Sequence, residues 1–503
     1  MLSGASIALD TLSCIENGAC ASQNGKPINP NTTPMTLKKG AEVECFVESL
    51  AYKGKGVAKL DGFTLFIPNT APGDTVLARV VKKKKRYGEG KLLEVVTPSP
   101  LRIDPTCRHA PVCGGCTLQH LPYEEQKKAK EQQVRDHITR FAHLDDSVVM
   151  PILGCETPLY YRNKMEYSFG TRRWLTQQEI ESDTFVDDHG FVAGLHAPGR
   201  YDKILPLQEC HLQPPLSYQV LDMVREWCIR NDVPAYDPHT REGFMRHLMI
   251  RNSVHTNEWM VNLVTFRDDI KIVVPLAMRL SQRFPEITTI VNNINDTQSP
   301  TSVGRYERVL LGDGSITDKI GDLSFQIDAN AFFQTNTRQA ETLYKTALEL
   351  AGPSGDETMF DLYCGVGTIT LFFAPYVSRA VGIELSAVAV ENATANAKEN
   401  GISNTEFVLG DMKDTFNDEL LAKHGRPDLL ITDPPRAGMH PDVVQKLIEL
   451  RVPSMVYVSC NPSTMARDLE LLGTVYETEC VRPVDMFPQT YHIEAVAKLR
   501  LRG

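Results

Sequence analysis

The chain has 503 residues, 42% of them hydrophobic and 23% charged, and its 63 acidic residues outnumber 53 basic ones for a net charge of −10. That is the composition of a folded globular protein and excludes collagen-like and wholly disordered chains. No run of about 20 apolar residues occurs, which excludes a membrane-spanning helix, and the length predicts about three domains.

Residues 1–36 are rich in Ser, Asn and Gly, with Pro27, Pro30 and Pro34, and read as a disordered tail. The first lysine is Lys26 and no apolar block follows, so no secretory leader is expected and the expected location is cytoplasmic. Residues 37–98 run against the acidic total, with 12 Lys and Arg against 7 Asp and Glu, a net of +5. Short β-rich runs fall at 43–47, 64–67, 75–81 and 92–96. Turns are expected at Lys55-Gly56, Asp61-Gly62 and Pro72-Gly73-Asp74. Such a pattern predicts a small OB-type β-barrel, a common nucleic-acid platform. The run Lys82-Lys83-Lys84-Lys85-Arg86 would supply phosphate contacts, although a basic run is most often a solvated face.

Three of the twelve cysteines crowd into residues 107–116. Without an export signal, this reads as metal or cluster binding rather than disulfides. A helix is expected at 123–141, rich in Glu, Gln and Lys and free of Gly and Pro. Residues 99–330 form a central mixed α/β domain, with strands at 246–251, 260–266 and 287–292 and helices at 216–231 and 273–284. From residue 331 a further domain runs to 503. Its strands at 359–363, 380–384, 405–409, 429–432 and 455–459 alternate with helices such as 387–400, which predicts a Rossmann-like parallel sheet covered on both faces.

Chemistry-bearing residues collect at the ends of those strands, where open α/β sheets place ligands. Asp361-Leu362-Tyr363-Cys364-Gly365-Val366-Gly367 ends the first, and glycines there let a ligand approach the backbone. Glu384, 23 residues later, ends the next and can hydrogen-bond ribose hydroxyls. Acid, glycines, then acid is the pattern of S-adenosylmethionine (SAM) methyltransferases. Asp433-Pro434-Pro435-Arg436 and Ser459-Cys460-Asn461-Pro462 end two more strands, and 485–494 adds His492 and Glu494. Most buried cysteines are inert, but the position of Cys460 between polar neighbours on this edge argues for reactivity.

These segments together resemble the RNA 5-methyluridine methyltransferases, with Ala331-Phe332-Phe333-Gln334 matching the Phe-Phe-Gln segment that opens their catalytic domain. The resemblance spans about 40–500. It implies that 37–98 is a TRAM domain and that Cys107, Cys113, Cys116 and Cys210 match the cluster ligands of the branch acting on 23S rRNA. Their spacing suits zinc or a four-iron–four-sulfur cluster, and the resemblance selects iron–sulfur. Cys155 and Cys228 are the substitutes for Cys210, because the polar stretch 172–190 reads as an insertion.

The resemblance also implies roles. Cys460 would add to carbon 6 of uracil and so activate carbon 5, which needs a thiolate and hence a depressed pKa in the bound complex. Glu494 would remove the carbon-5 proton. Asp433 would read the uracil edge. Gln334, Tyr363, Glu384, Asp411 and Asp433 would hold SAM, with Thr368 assisting, while Cys364 would be structural. The expected partner is 23S rRNA, with tRNA second, and the expected state is a monomer. Two rivals remain: an amino-group methyltransferase, against which Arg436 and Cys460 speak, and a non-catalytic RNA-binding module whose cluster senses oxidation.

Overall fold

The computed structural model describes residues 37–503 apart from 111, 183, 185 and 300. The tail expected over 1–36 lies outside the described residues.

The N-terminal barrel has six strands: β1 (Glu42–Phe46), β2 (Ser49–Ala51), β3 (Lys55–Leu60), β4 (Phe63–Ile67), β5 (Thr75–Lys83) and β6 (Tyr87–Thr97). They pair in the order β1-β5-β6-β4-β3-β2. Alternate residues of β1 and β5 point inward, so Val43, Cys45, Val76, Ala78 and Val80 meet Leu65 and Ile67 in one small core. Two strands, β2 and β3, were not expected, and Lys55-Gly56 is not a turn. The chain has already reversed over Tyr52–Gly54, where Lys53 and Gly54 are left-handed. Gly56 is there for a close approach within a strand: a Cβ would sit 2.0 Å from Thr70 Oγ1. The basic run forms the exposed tip between β5 and β6.

Helix α1 (Tyr123–Phe141) precedes the central sheet. That sheet is built from β7 (Lys164–Arg172), β8 (His189–His196), β9 (Ile204–Pro206), β10 (Met245–Asn252), β11 (Trp259–Thr265), β12 (Ile287–Ile294) and β13 (Tyr306–Leu311). Short α2 (Gln177–Glu181), α3 (Leu216–Arg230) and α4 (Ile270–Arg283) connect them. Every residue of β10 and β11 is buried, because α3 and α4 contribute to the core on one face and the hairpin β14 (Ser315–Ile320) and β15 (Leu323–Asp328) packs on the other.

The C-terminal domain contains α5 (Thr337–Ala351), β16 (Thr358–Leu362), α6 (Thr368–Phe373), β17 (Arg379–Glu384), α7 (Ala387–Glu399) and β18 (Thr405–Leu409). Then follow α8 (Met412–Thr415), α9 (Asp418–His424), β19 (Leu429–Thr432), α10 (Pro441–Leu450), β20 (Ser454–Ser459), α11 (Pro462–Leu472), β21 (Tyr476–Val484) and β22 (Glu494–Leu501). The strand order is β18-β17-β16-β19-β20-β22-β21, so the winding direction reverses between β16 and β19. The sheet is not wholly parallel: β22 runs antiparallel to β20 and β21. Two parts of the expected 99–330 domain pack on this side. The β14–β15 hairpin shares a core with α5 and β16, and α1 lies against α11 and β21.

Candidate active site

The winding reversal puts a crevice at the carboxyl ends of β16 and β19. A cavity of about 1310 Å³ opens there. Its wall on the β16 side is the turn Tyr363 to Gly367, in which Tyr363, Gly365 and Gly367 all have positive φ. Gly367 must lack a side chain, since a Cβ would meet Ala393 and Phe407 at 3.0 Å. The Glu384 carboxylate ties this turn to the next one, accepting from the backbone N–H of Gly365 (3.1 Å) and of Ser386 (2.9 Å). Asp411 caps α8 by accepting from Lys413 N–H (3.2 Å). Gln334 enters from the segment before α5, where Asn163 Nδ2 donates to its carbonyl oxygen at 2.8 Å. Tyr363, Glu384, Asp411 and Gln334 line the cavity; Thr368 does not. It begins α6, and its hydroxyl is engaged with the Tyr344 hydroxyl at 3.0 Å.

The reversed last strand completes the site. Ser459 of β20 pairs with Ala495 of β22. The next residues outward, Cys460 and Glu494, are therefore neighbours at the strand ends. Both line the cavity with Asp433, the residue following β19. Asn461 caps α11 and Pro462 opens it, so Cys460 stands just before a helix N-terminus, whose field favours a thiolate. Burial outweighs that field. With the Glu494 and Asp433 charges adding to it and Arg436 opposing, the Cys460 thiol is pushed up to about 11. Burial also raises Asp433 to about 7 and Glu494 well above the usual carboxyl range. His492 is pushed down to about 4 by burial and by Arg436, Lys130 and Arg162, and so is neutral at pH 7. The arrangement brings one thiol and two carboxyl groups, all with raised pKa, into one pocket.

Residues 308–501 match the family described as tRNA (Uracil-5-)-methyltransferase, and residues 37–93 match the TRAM domain. A Porphyromonas gingivalis protein, named an uncharacterized RNA methyltransferase, is 43% identical over 90% of this chain and 98% of its own length. A Chlorobaculum tepidum protein named likewise is 40% identical over 92% and 96%. The solved tRNA (uracil-54, C5)-methyltransferase of Pyrococcus abyssi, in complex with S-adenosyl-L-homocysteine, matches with a TM-score of 0.71 and 28% identity. It covers 91% of this chain and 100% of that one. The chain belongs to the RNA uracil-5 methyltransferases. It is a SAM-dependent RNA methyltransferase with a TRAM barrel at its N-terminal side.

In this uracil-5 methyltransferase the four cysteines of the expected cluster come together although 93 residues separate Cys116 from Cys210. Each of Cys107, Cys113 and Cys116 feels the Cys210 thiol, and burial raises all four. Neither substitute joins them. Cys155 is held by Asn336 and Thr157, and Cys228 lies inside the core of α3. No three of the four sulfur atoms lie within 4.8 Å of one another. Four thiols brought together from two chain segments are a donor set that suits zinc or a four-iron–four-sulfur cluster alike.

Arg162, Asn330, Asn392, Arg436 and Phe487 also line the methyltransferase cavity and were not singled out as site residues from the sequence. Arg162 comes from a connecting segment far upstream of the strand-end motifs, and no spacing rule links it to them. Arg436 stood in the Asp-Pro-Pro-Arg motif, where its charge was the available signal.

Proposed function

We propose that this enzyme methylates carbon 5 of a uridine in 23S rRNA through a covalent Cys460 adduct. The observation that carries the chemistry is the placement of Cys460 beside Glu494 on the floor of the cavity whose wall is the Tyr363–Gly367 turn. The target base must leave its stack to reach that floor.

The Cys460 sulfur adds to carbon 6 of the uracil, which makes carbon 5 nucleophilic. When bound, SAM supplies the electrophilic methyl group. Gln334, Tyr363, Glu384 and Asp411 hold it from the β16–β18 side, with Asp433 at the boundary between cofactor and base. Asp433 hydrogen-bonds the uracil edge, where a cytosine would leave buried polar groups mismatched. Glu494 takes the proton from carbon 5, and the Cys460–carbon 6 bond breaks to return the sulfur. Its raised pKa makes the ionised Glu494 carboxylate a stronger base than an ordinary one. Because the free thiol is held protonated, RNA binding has to bring its deprotonation. Cys107, Cys113, Cys116 and Cys210 hold a four-iron–four-sulfur cluster that shapes the central domain, with no redox step in the reaction. Iron and acid-labile sulfide measured on anaerobically prepared protein test that assignment.

The cysteine set, through the resemblance, favours the rRNA branch. The likeness to a tRNA (uracil-54, C5)-methyltransferase over nearly the whole chain favours tRNA as the second reading. Nucleoside mass spectrometry with position mapping, on rRNA and tRNA from cells lacking the gene, separates them. Loss of 5-methyluridine at one or two 23S positions supports the proposal, and loss from tRNA alone replaces it with the second reading. Cys460→Ala should abolish methyl transfer and keep RNA binding; unchanged methylation would refute the nucleophile.

A further inference from the structure

A row of aromatic rings leads from the surface of the barrel to the catalytic pocket. Tyr52, in the turn between β2 and β3, lies 5.7 Å from Tyr491 at 82°. Tyr491 lies 4.2 Å from His492, and His492 lies 5.9 Å from Phe487. His492 and Phe487 line the same cavity as Cys460. Tyr52 is close enough to the reacting centre that its phenol, raised first by burial, is also influenced by Tyr491, Arg436 and Cys460.

These rings do not behave as ordinary core. Tyr52 is 37% exposed, and neither Tyr52 nor Tyr491 belongs to any of the hydrophobic clusters. Neither hydroxyl is hydrogen-bonded among the described residues, so the contacts that hold Tyr52 in place are edge-to-face ring contacts with Tyr491 and His137. The neighbouring cation Lys53 has no ion-pair partner among the described residues and is exposed. One exposed and one half-buried ring beside an exposed cation, next to the cavity-lining His492 and Phe487, are what an unpaired nucleic-acid strand stacks on.

We propose that Tyr52 and Tyr491 form a stacking subsite for an unpaired nucleobase adjacent to the target uridine, so that the TRAM barrel and the methyltransferase domain grip one strand together. The proposal rests on the reading of the pocket as a uracil site in RNA.

The test uses the full chain and a short single-stranded RNA with a central uridine between adenosines, carrying 2-aminopurine on one side or the other. Stacking against a tyrosine quenches that fluorophore. Quenching is expected at one flanking position with the wild type and with Tyr52→Phe. It should be lost with Tyr52→Ala, with binding about tenfold weaker. SAM binding and thermal stability serve as folding controls and should be unchanged. Quenching that persists in Tyr52→Ala, or equal loss in Tyr52→Phe and Tyr52→Ala, overturns the subsite. Fluorescence reads binding independently of methyl transfer. A wild type that quenches but methylates no RNA would therefore defeat the proposed reaction and leave the subsite standing.

Discussion

Gln126 and Gln489 hold each other through two hydrogen bonds: Gln126 Nε2 donates to Gln489 Oε1 at 2.9 Å, and Gln489 N–H donates to Gln126 Oε1 at 3.0 Å. The Gln489 carbonyl oxygen accepts from Thr117 N–H (2.9 Å) and Leu118 N–H (3.0 Å), the residues directly after Cys116. Gln489 itself is left-handed, with φ of 68°, a conformation that non-glycine residues adopt only when surroundings impose it. The loop that delivers Tyr491, His492 and Glu494 is thus positioned jointly by α1 and by the cysteine-bearing segment. The cysteine-bearing segment and the loop that carries Glu494 are parts of one mechanical unit.

Gln126→Ala should therefore act at a distance. It removes both mutual hydrogen bonds and leaves the buried Gln489 N–H without a partner, which costs about 2–4 kcal/mol. We expect a lower melting temperature and a reduced kcat with SAM affinity unchanged, since neither Gln126 nor Gln489 lines the cavity. Calorimetric SAM binding beside single-turnover methylation checks this. An unchanged kcat would show that Glu494 does not depend on the clamp.

Much of this molecule is readable from its sequence, for identifiable reasons. The C-terminal strands are continuous apolar runs ending in polar motifs, and strand ends at the winding reversal are where a parallel sheet puts its chemistry. So Tyr363, Glu384, Asp433 and Cys460, all at such strand ends, line one cavity. The reversal of β22 was not readable, because an apolar strand carries no mark of its direction. Glu494 was consequently reached by resemblance and residue type rather than by topology. Thr368 lies outside the cavity lining, because a helix-opening residue near a glycine turn can face inward as well as toward a ligand, and here Tyr344 holds it. The Gln126–Gln489 pair spans 363 positions and has no local signature.

The same loop is anchored by a fully buried ion pair. Lys130 Nζ contacts Asp485 Oδ1 at 2.6 Å and the Phe487 carbonyl oxygen at 3.0 Å, and both charged side chains are fully buried. Lys130→Met removes the counter-charge of a buried Asp485 and leaves it only the Phe487 N–H (3.2 Å) on that oxygen, so it should destabilise the protein by about 3–5 kcal/mol. Lys130→Met combined with Asp485→Leu should recover most of that loss. Chemical denaturation of the single and double variants decides the point: a double variant no better than the single one would mean that packing, not charge, is what Lys130 provides.

Reactivity of Cys460 should rise with pH across the neutral range. Its thiol is pushed up to about 11 in the free enzyme, first by burial and then by Glu494 and Asp433. Alkylation at Cys460, followed by peptide mass spectrometry, should accelerate about tenfold per pH unit between roughly pH 7 and 9, without a plateau. Glu494→Gln removes one of the charges holding the thiol protonated. It should lower the thiol pKa and speed alkylation at pH 8, even as it blocks turnover. Slower alkylation in Glu494→Gln would instead make Glu494 the base that activates the thiol.

Asp361 supplies the opposite pH signature, in stability. It is fully buried at the end of β16, Thr370 Oγ1 donates to one of its oxygens at 2.6 Å, and the other oxygen has no partner. Burial raises it to about 7, the Thr370 hydrogen bond opposes, and the Asp433 and Glu384 charges add to the rise. The folded state therefore holds more protons than the unfolded chain between about pH 4 and 7, and stability falls as pH rises through that window. Asp361→Asn keeps the Thr370 bond and never carries the charge. It should be more stable than the wild type at pH 8, by at most about 4 kcal/mol, and no more stable at pH 4. Thermal unfolding of both proteins at the two pH values is sufficient. An Asn variant equally destabilised at both would mean that the ionised carboxylate is what this strand end is built to hold.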